Sequence, residues 1–187
     1  MPRKTQKTNK SQSTHKSALG GVKVLELCRM VAGPYCAKLM ADLGAEVIKI
    51  EPPCGDTARR SPPFVNDIPD SEGSGLFLYL NTNKLGVTLD VTTATGRKLF
   101  FELAKYADII VEDNAPGWMD SHRIGYDELK AMKPDIIMTS ITPFGQTGPY
   151  RDYKAYPLNS FQSSGEGYLT PGGTENMGKP PLRLGTF

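Results

Sequence analysis

Short apolar runs and stretches of helical periodicity follow one another along most of the chain. Runs typical of buried strands occur at VKVLEL (22–27), EVIKIE (46–51), DIIVED (108–113) and PDIIMTSITPFG (134–145), and GVTLDV (86–91) indicates one more strand. Helical spacing occurs in GPYCAKLMADLG (33–44), TTATGRKLFFELAKYA (92–107) and YDELKAM (126–132). Because strands and helices alternate, the sequence predicts an α/β fold with a Rossmann-like, mostly parallel sheet and helices on both faces.

In each of the first two predicted helices, the spacing of apolar residues predicts one apolar face directed at the sheet. Pro34 suits the first turn of the first helix, and Gly44 ends it. The predicted faces consist of Cys36, Leu39, Met40 and Leu43 in the first helix, and of Leu99, Phe100, Leu103 and Tyr106 in the second.

Two long stretches rich in proline and glycine, 51–75 and 144–187, lack sustained periodicity. The second is an unusually long irregular ending for a compact domain. Either these stretches serve a ligand or a partner, or elements that would pack on them are missing from the chain.

The composition indicates one globular domain with a basic tail. The chain has 187 residues and is 39% hydrophobic, which is ordinary for a single folded core. Its formal charge of +2 hides an asymmetry, because residues 1–18 contain five basic residues and no acid. Such a polar segment predicts a disordered tail at 1–18 and a folded domain at 19–187. Contact with nucleic acid, or a targeting role, is the less favoured interpretation of the tail.

The cysteines and the hydropathy restrict the class of protein further. Cys28, Cys36 and Cys54 show neither CxxC spacing nor a companion histidine cluster, so we expect no disulfide framework and no metal site. No apolar run approaches the length of a bilayer span, and no secretory signal is evident. We therefore expect a cytoplasmic protein that binds neither membranes nor nucleic acid.

The loop after the first predicted strand has the sequence CRMVAGPY (28–35). A dinucleotide-binding fold packs three glycines here so that the backbone can approach a pyrophosphate. This loop has only Gly33, so the pattern disfavours NAD. Glu51 stands where an acid would hold a ribose, although a lone carboxylate after a strand more often faces solvent. A βαβ unit that binds no ligand stays open on these residues alone.

Several ordered motifs resemble the N-terminal portion of the family III CoA-transferases, the CaiB/BaiF type that includes formyl-CoA and carnitine-CoA transferases. The resemblance is carried by GVKVLELCRMVAGPYCAKLMADLGAEVIKIEPPCGD, NTNKLGVTLDV, ADIIVEDNAPGWMD and KPDIIMTSITPFGQTGPYRDYKAY, and it covers nearly all of 19–187. It implies an incomplete large domain of that fold, with the C-terminal half absent.

The resemblance also implies a set of ligand-binding residues. Asp56 and Arg60 would brace a loop, and Lys84 would be a further cation for the CoA phosphates. Arg123 matches a phosphate-contacting arginine only if one extra residue is allowed in GWMDSHRIG, whereas Lys154 aligns without a gap. The implied CoA-binding residues are Arg29, Met30, Val31, Ala32, Leu89, Asp113, Asn114, Arg123 and Lys154, and the implied substrate-flanking residues are Gly145, Gly148 and Tyr156.

The chemistry implied by the resemblance is transfer of CoA between an acyl-CoA and a carboxylic acid through an aspartyl-CoA thioester. In the family the nucleophilic aspartate follows the segment matched by GKPPLRLGTF, so we expect it beyond Phe187. The chain alone is therefore expected to be an inactive fragment or one half of a split enzyme. The resemblance further implies an interlocked homodimer, CoA as the only cofactor-like ligand, and neither metal nor NAD.

Three other functions remain as alternatives. An α-methylacyl-CoA racemase needs a histidine where this chain has Tyr156, and the only histidines are His15 and His122. A nicotinamide-dependent enzyme is disfavoured by the missing glycines. A noncatalytic CoA-binding or assembly module is favoured by the missing nucleophile.

Overall fold

A computed structural model of the chain describes residues 17–165. Within that range lies one sheet of five parallel strands in the order β3-β2-β1-β4-β5. The α/β prediction is confirmed, and each predicted strand is present. The strands are β1 (Lys23–Leu27), β2 (Glu46–Glu51), β3 (Leu85–Thr88), β4 (Ile109–Glu112) and β5 (Ile137–Ser140).

Helices connect the strands and cover both faces of the sheet. The longest are α1 and α3, which follow β1 and β3, as the periodicity predicts. The helices are α1 (Ala32–Asp42), α2 (Gly75–Leu80), α3 (Ala94–Ala104), α4 (Trp118–Ser121), α5 (Tyr126–Met132) and α6 (Pro157–Ser163). No helix among residues 17–165 is long and apolar enough to cross a membrane.

The strand order places a topological switch point between β1 and β4. From β1 the chain proceeds through β2 and β3 on one side of the sheet, and then crosses to β4 and β5 on the other. Leu27 at the end of β1 is paired with Glu112 at the end of β4. In open α/β sheets a crevice forms outside the carboxyl ends of the two strands at this point, and ligands bind there.

Two apolar clusters hold the sheet between its helices. On one face Phe100 of α3 and Leu129 of α5 pack with strand residues such as Leu25 and Ile110. On the other face Ala37 and Ala41 of α1 pack with a second set, Val24, Val47 and Val111. Adjacent strand residues thus enter opposite clusters, which is the pattern of a sheet buried on both sides.

The predicted helix faces are partly wrong. In α1 the buried positions are Gly33, Pro34, Ala37 and Ala41, whereas Leu39 and Leu43 are 47% and 52% exposed. Small side chains let α1 lie close to the sheet, and the larger apolar ones point away from it. In α3 Phe100 is fully buried as predicted, but Leu99 and Tyr106 are exposed, and Cys36, Met40 and Leu103 are only partly buried.

The first proline- and glycine-rich stretch is more ordered than its composition indicates. It contains 3₁₀ turns at Thr57–Arg60 and Val65–Asp67 before α2. Ser74 caps α2 by accepting from the Phe77 amide, and its hydroxyl donates to the Ala58 carbonyl at 2.7 Å. The described part of the second stretch contains α6. Most of the predicted tail and residues 166–187 lie outside the described residues.

Candidate functional site

Two adjoining grooves open at the carboxyl ends of the central strands. The first has a volume of about 440 Å³ and the second about 870 Å³, both measured with their open mouths. Arg29, Asn114 and Trp118 line both grooves. The first is otherwise lined by Leu27, Cys28, Ile50, Pro52, Leu89, Asp90, Val91 and Thr92, and the second by Met30, Thr57, Asp113 and Ala115. This is the crevice expected at the switch point.

The loop of residues 28–31 separates β1 from α1, and side chains from distant parts of the chain hold its backbone. The Arg29 amide donates to Asp113 Oδ2 at 2.8 Å, and the Met30 amide donates to Asp56 Oδ1 at 3.0 Å. The Cys28 carbonyl accepts from Lys49 Nζ at 2.9 Å. Met30 takes the left-handed conformation, with φ of +57°. Three consecutive residues are therefore held by side chains from three other parts of the chain.

Gly33, in the first turn of α1, lies against Cys28, the residue that follows β1. A β-carbon built on Gly33 would lie 2.3 Å from Cys28 Sγ and 2.4 Å from Cys28 Cβ, which real β-carbons do not tolerate. Cys28 cannot give way easily, because it is buried at the end of β1. Burial, reinforced by the charge of Asp113, raises the pKa of the Cys28 thiol, so it stays protonated. Close packing against Cys28 is thus sufficient to require glycine at position 33.

A buried ion cluster lies beneath the loop on the α1 face of the sheet. Lys49 Nζ lies 3.0 Å from Glu26 Oε1 and 2.8 Å from Asp56 Oδ2, and all three side chains are at most 2% exposed. Burial alone would lower the pKa of Lys49, but the two carboxylates raise it above its usual value. Lys49 therefore stays charged and keeps its hydrogen bond to the loop.

Lys84 belongs to this cluster, so the prediction that it binds CoA phosphates is wrong. Its ammonium lies 2.7 Å from Glu26 Oε2 and donates to the Pro34 carbonyl at 2.8 Å, in the first turn of α1. The side chain is only 2% exposed, and burial lowers its pKa despite the carboxylate of Glu26. A charge held in this way fixes the start of α1 and does not reach a ligand.

Glu51 is held inside the protein rather than facing solvent. Arg59 binds both of its carboxylate oxygens, at 2.7 and 2.8 Å, and the Asp56 amide donates to it at 2.9 Å. Burial opposes ionisation of Glu51, but these hydrogen bonds keep its pKa below the usual range. The predicted bracing role of Asp56 is confirmed. Its arginine partner in that role is Arg59, whereas Arg60 is exposed and reaches only the Cys54 carbonyl.

Asp113 and Asn114, the two polar residues after β4, bind the loop backbone and the buried Glu112 respectively. Burial raises the pKa of the Asp113 carboxyl to about 6, although the hydrogen bond from the Arg29 amide acts in the opposite direction. Asn114 donates from its backbone and side-chain amides to Glu112 Oε2, at 2.8 and 3.1 Å. Glu112 is buried, so Asn114 satisfies a carboxylate that water does not reach.

The structure brings some of the residues implied by the resemblance together and leaves others apart. Arg29, Met30, Leu89, Asp113 and Asn114 all line the two grooves. The remaining ones, which do not line these grooves, are Val31 and Ala32 at the exposed start of α1, Arg123 in a left-handed turn after α4, and the exposed Gly145, Gly148, Lys154 and Tyr156 in the segment after β5.

Sequence reasoning missed Trp118 and the pair formed by Lys49 and Glu26. Both charged residues lie inside apolar strand runs, EVIKIE and VKVLEL, and charges at such positions are a signal of buried pairing. For Trp118 no comparable signal exists, because its place at the groove depends on the turn before α4. Among residues 17–165 no cluster of three or more potential metal ligands occurs.

Comparison with known proteins shows which family the chain matches. Residues 19–187 match the family described as CoA-transferase family III. The chain is 37% identical over 94% of its length to an acyl-CoA transferase of Fusarium pseudograminearum, covering 39% of that protein. It is 38% identical over 89% of its length to the human succinyl-CoA:glutarate CoA-transferase, covering 36% of it. A crystal structure of a CaiB/BaiF family protein from Brucella suis superposes with a TM-score of 0.78 at 36% identity, over 91% of this chain and 44% of that one. The chain thus spans between 36% and 44% of the length of these relatives.

Proposed function

Because the chain belongs to family III of the CoA-transferases, we propose that its protein moves CoA between an acyl-CoA and a carboxylic acid. Residues 28–34 and the ends of β3 and β4 are proposed to hold the CoA. No aspartate of this chain is proposed as the nucleophile.

One observation supports the CoA site above all others. Five of the residues that the family resemblance implies for CoA converge on two adjoining grooves at the switch point, although they come from three separate stretches of the chain. The grooves combine apolar walls, such as Leu89 and Val91, with the cation of Arg29. CoA needs both, since it carries phosphates together with a planar base and a pantetheine arm whose methylene and methyl groups pack on apolar walls.

The residues of the loop would bind and orient the coenzyme. Arg29 is exposed at the junction of the grooves, where its guanidinium is available to a phosphate. The N-terminal end of α1 follows directly, and its dipole favours an anion nearby. Asp56, Lys49 and Asp113 hold the backbone of the loop, so the site is organised before the ligand arrives.

The transfer itself is proposed to follow the covalent route implied by the family. An aspartate carboxylate attacks the thioester carbonyl and expels the CoA thiolate, which leaves a mixed anhydride. The thiolate then attacks the aspartyl carbonyl, which releases the first carboxylic acid and forms an aspartyl-CoA thioester. The acceptor carboxylate displaces the thiolate again, and the thiolate attacks the acyl carbonyl of the new anhydride. The products are the new acyl-CoA and the original aspartate.

Two features of the surroundings complete the proposal. We propose that the complete protein is a homodimer, as the family implies. We also propose a reducing, cytoplasmic location, because all three cysteines are free thiols. Sedimentation of the complete protein tests the first, and a monomer at micromolar concentration contradicts it.

The proposal is tested in two steps. Calorimetric titration of the 187-residue chain with CoA and with NAD should show saturable binding of CoA alone. The complete protein, mixed with an acyl-CoA and a carboxylate, should give a thioester adduct on an aspartate that hydroxylamine removes. Turnover without such an adduct contradicts the covalent route, and preference for NAD contradicts the ligand.

A further inference from the structure

Glu26, within β1, bridges two buried lysines. Its Oε1 lies 3.0 Å from Lys49 Nζ, and its Oε2 lies 2.7 Å from Lys84 Nζ. The Glu26 side chain is fully buried, and both lysine side chains are only 2% exposed. Each oxygen of one carboxylate is thus paired with a different ammonium group, so Glu26 fixes the position of one lysine relative to the other.

The two lysines hold opposite ends of the proposed CoA loop, residues 28–34. Lys49 donates to the Cys28 carbonyl at 2.9 Å, where the loop begins. Lys84 donates to the Pro34 carbonyl at 2.8 Å, where the loop has passed into the first turn of α1. One carboxylate therefore connects the two points at which the loop is attached.

Both ammonium groups use all three of their donors within the protein. The third contact of Lys49 is with Asp56 Oδ2 at 2.8 Å, and that of Lys84 is with Asn81 Oδ1 at 2.9 Å. Asn81 is the residue at which α2 ends. The lysines are therefore held on all sides and cannot follow the loop if it moves.

The place of the cluster favours a positioning role over a stabilising one. Elsewhere on this face of the sheet Val24, Val47 and Val111 pack against α1. A buried ion pair is seldom more stabilising than apolar residues of similar volume, because desolvation offsets the attraction. Beneath the loop, however, an ammonium group can donate to a backbone carbonyl, and an apolar side chain cannot.

We infer that Glu26 is a positioning residue for CoA binding. Through Lys49 and Lys84 it sets the separation of the two ends of the loop, and thereby directs Arg29 into the grooves. The inference rests on the proposed function and goes beyond it, because Glu26 itself lines neither groove.

Two variants separate positioning from stability. Glu26→Gln leaves the buried Lys84 with one charged partner fewer, and should destabilise the chain. Adding Lys84→Met removes the unpaired charge, so the stability should largely recover, but the Pro34 carbonyl loses its donor. The double variant should still bind CoA roughly tenfold more weakly in calorimetry, because ordering of the loop then opposes binding. Recovery of affinity together with stability overturns the inference.

Lys133→Met is the matched control. Lys133 also donates to a backbone carbonyl, that of Ala107 at 2.7 Å, but just before β4, at the opposite end of the sheet from the grooves. This variant should lose stability and keep the CoA affinity of the parent. An equal loss of affinity in Lys133→Met would show that affinity merely follows stability, which overturns the inference.

A double-mutant cycle tests whether the cluster acts through Arg29. Arg29→Gln should weaken CoA binding in the parent, but by less than about threefold in Glu26→Gln/Lys84→Met, where the loop is already displaced. Equal losses in both backgrounds overturn the inference while the proposed function stands. Absence of CoA binding by the parent overturns both.

Hydrogen exchange of the free chain gives a measurement that needs no CoA. The amides of Arg29 and Met30 are bonded to carboxylates outside the cluster's shared oxygens, at Asp113 Oδ2 and Asp56 Oδ1. Both amides should exchange at least roughly tenfold faster in Glu26→Gln/Lys84→Met than in the parent. Unchanged exchange of both amides overturns the inference whatever the result with CoA.

Discussion

The backbone amide of Arg29 donates a hydrogen bond of 2.8 Å to the carboxylate of Asp113, which lies 84 residues further along the chain. This contact joins the loops after β1 and β4 at the switch point of the sheet. It ties the shape of the proposed CoA loop to the ionisation of one half-buried carboxyl group.

Asp113→Asn should change how stability depends on pH. Burial raises the pKa of Asp113 from 3.8 to about 6. Between these values the folded state binds more protons than the unfolded state, so this group's contribution is fully present below about pH 4 and is lost as the pH rises to about 6. The free energy of unfolding of the variant, relative to the parent, should therefore rise by at most about 1.4 kcal/mol per pH unit in this interval. Denaturant titrations at several pH values measure this difference. If the free energies of unfolding of variant and parent change equally with pH, the raised pKa of Asp113 is contradicted.

Gly33→Ala should destabilise the protein and weaken CoA binding. The added methyl group would overlap Cys28, and overpacking of this kind costs typically about 1–3 kcal/mol. Gly86→Ala is the matched control, because nothing lies within 4 Å of a β-carbon there. The midpoints of denaturant unfolding of both variants measure the difference. Equal stability of the two variants means that the loop is free to move away from β1.

Lys49→Met should be among the most destabilising single changes in the chain. It leaves Glu26 and Asp56 buried with one partner fewer, and removal of one member of a buried ion pair costs about 3–5 kcal/mol. Lys105→Met, which removes an exposed pair with Glu102, should cost less than about 1 kcal/mol. Chemical denaturation of both variants checks the contrast. A small loss for Lys49→Met would show that water reaches the cluster.

Arg29→Gln should weaken CoA binding without changing stability. A hydrogen bond to a charged group is worth about 1.5–3 kcal/mol, which corresponds to a loss of affinity of roughly ten- to a hundredfold. Since the side chain is exposed, the free energy of unfolding should change by less than about 0.5 kcal/mol. Arg60→Gln removes another exposed arginine, outside both grooves, and should leave CoA affinity intact. Calorimetric titration with CoA at low and high salt compares the two variants. If Arg29→Gln binds CoA as tightly as Arg60→Gln does, Arg29 is not part of the site.

The periodicity of the sequence predicts the elements better than it predicts their faces. Strand runs such as DIIVED and EVIKIE follow directly from burial on both sides of a parallel sheet. The orientation of α1 does not follow from the sequence pattern in the same way, because the distance between helix and sheet decides whether alanines or leucines face inward. Ala37 and Ala41 permit a close approach, and periodicity alone does not reveal that preference.

The same limit applies to the candidate site. The resemblance identifies Arg29, Leu89 and Asn114, which line the first groove. It does not distinguish Arg59 from Arg60, since adjacent arginines look equivalent until the 3₁₀ turn directs one of them at Glu51. Lys84 is predicted as a cation for the CoA phosphates, yet its ammonium contacts Glu26 and the first turn of α1. Such choices depend on contacts between residues distant in the chain.

The loop at Cys28 is fastened by Asp56 and by Asp113, and this imposes an order on its appearance during protein synthesis. β1 emerges from the ribosome before its neighbour β4, and the carboxylate that holds Arg29 follows that residue by 84 positions. Until then the nascent chain carries the loop sequence without the loop shape. The groove can form only after Trp118 has been translated, because the residues that line it extend from Leu27 to Trp118.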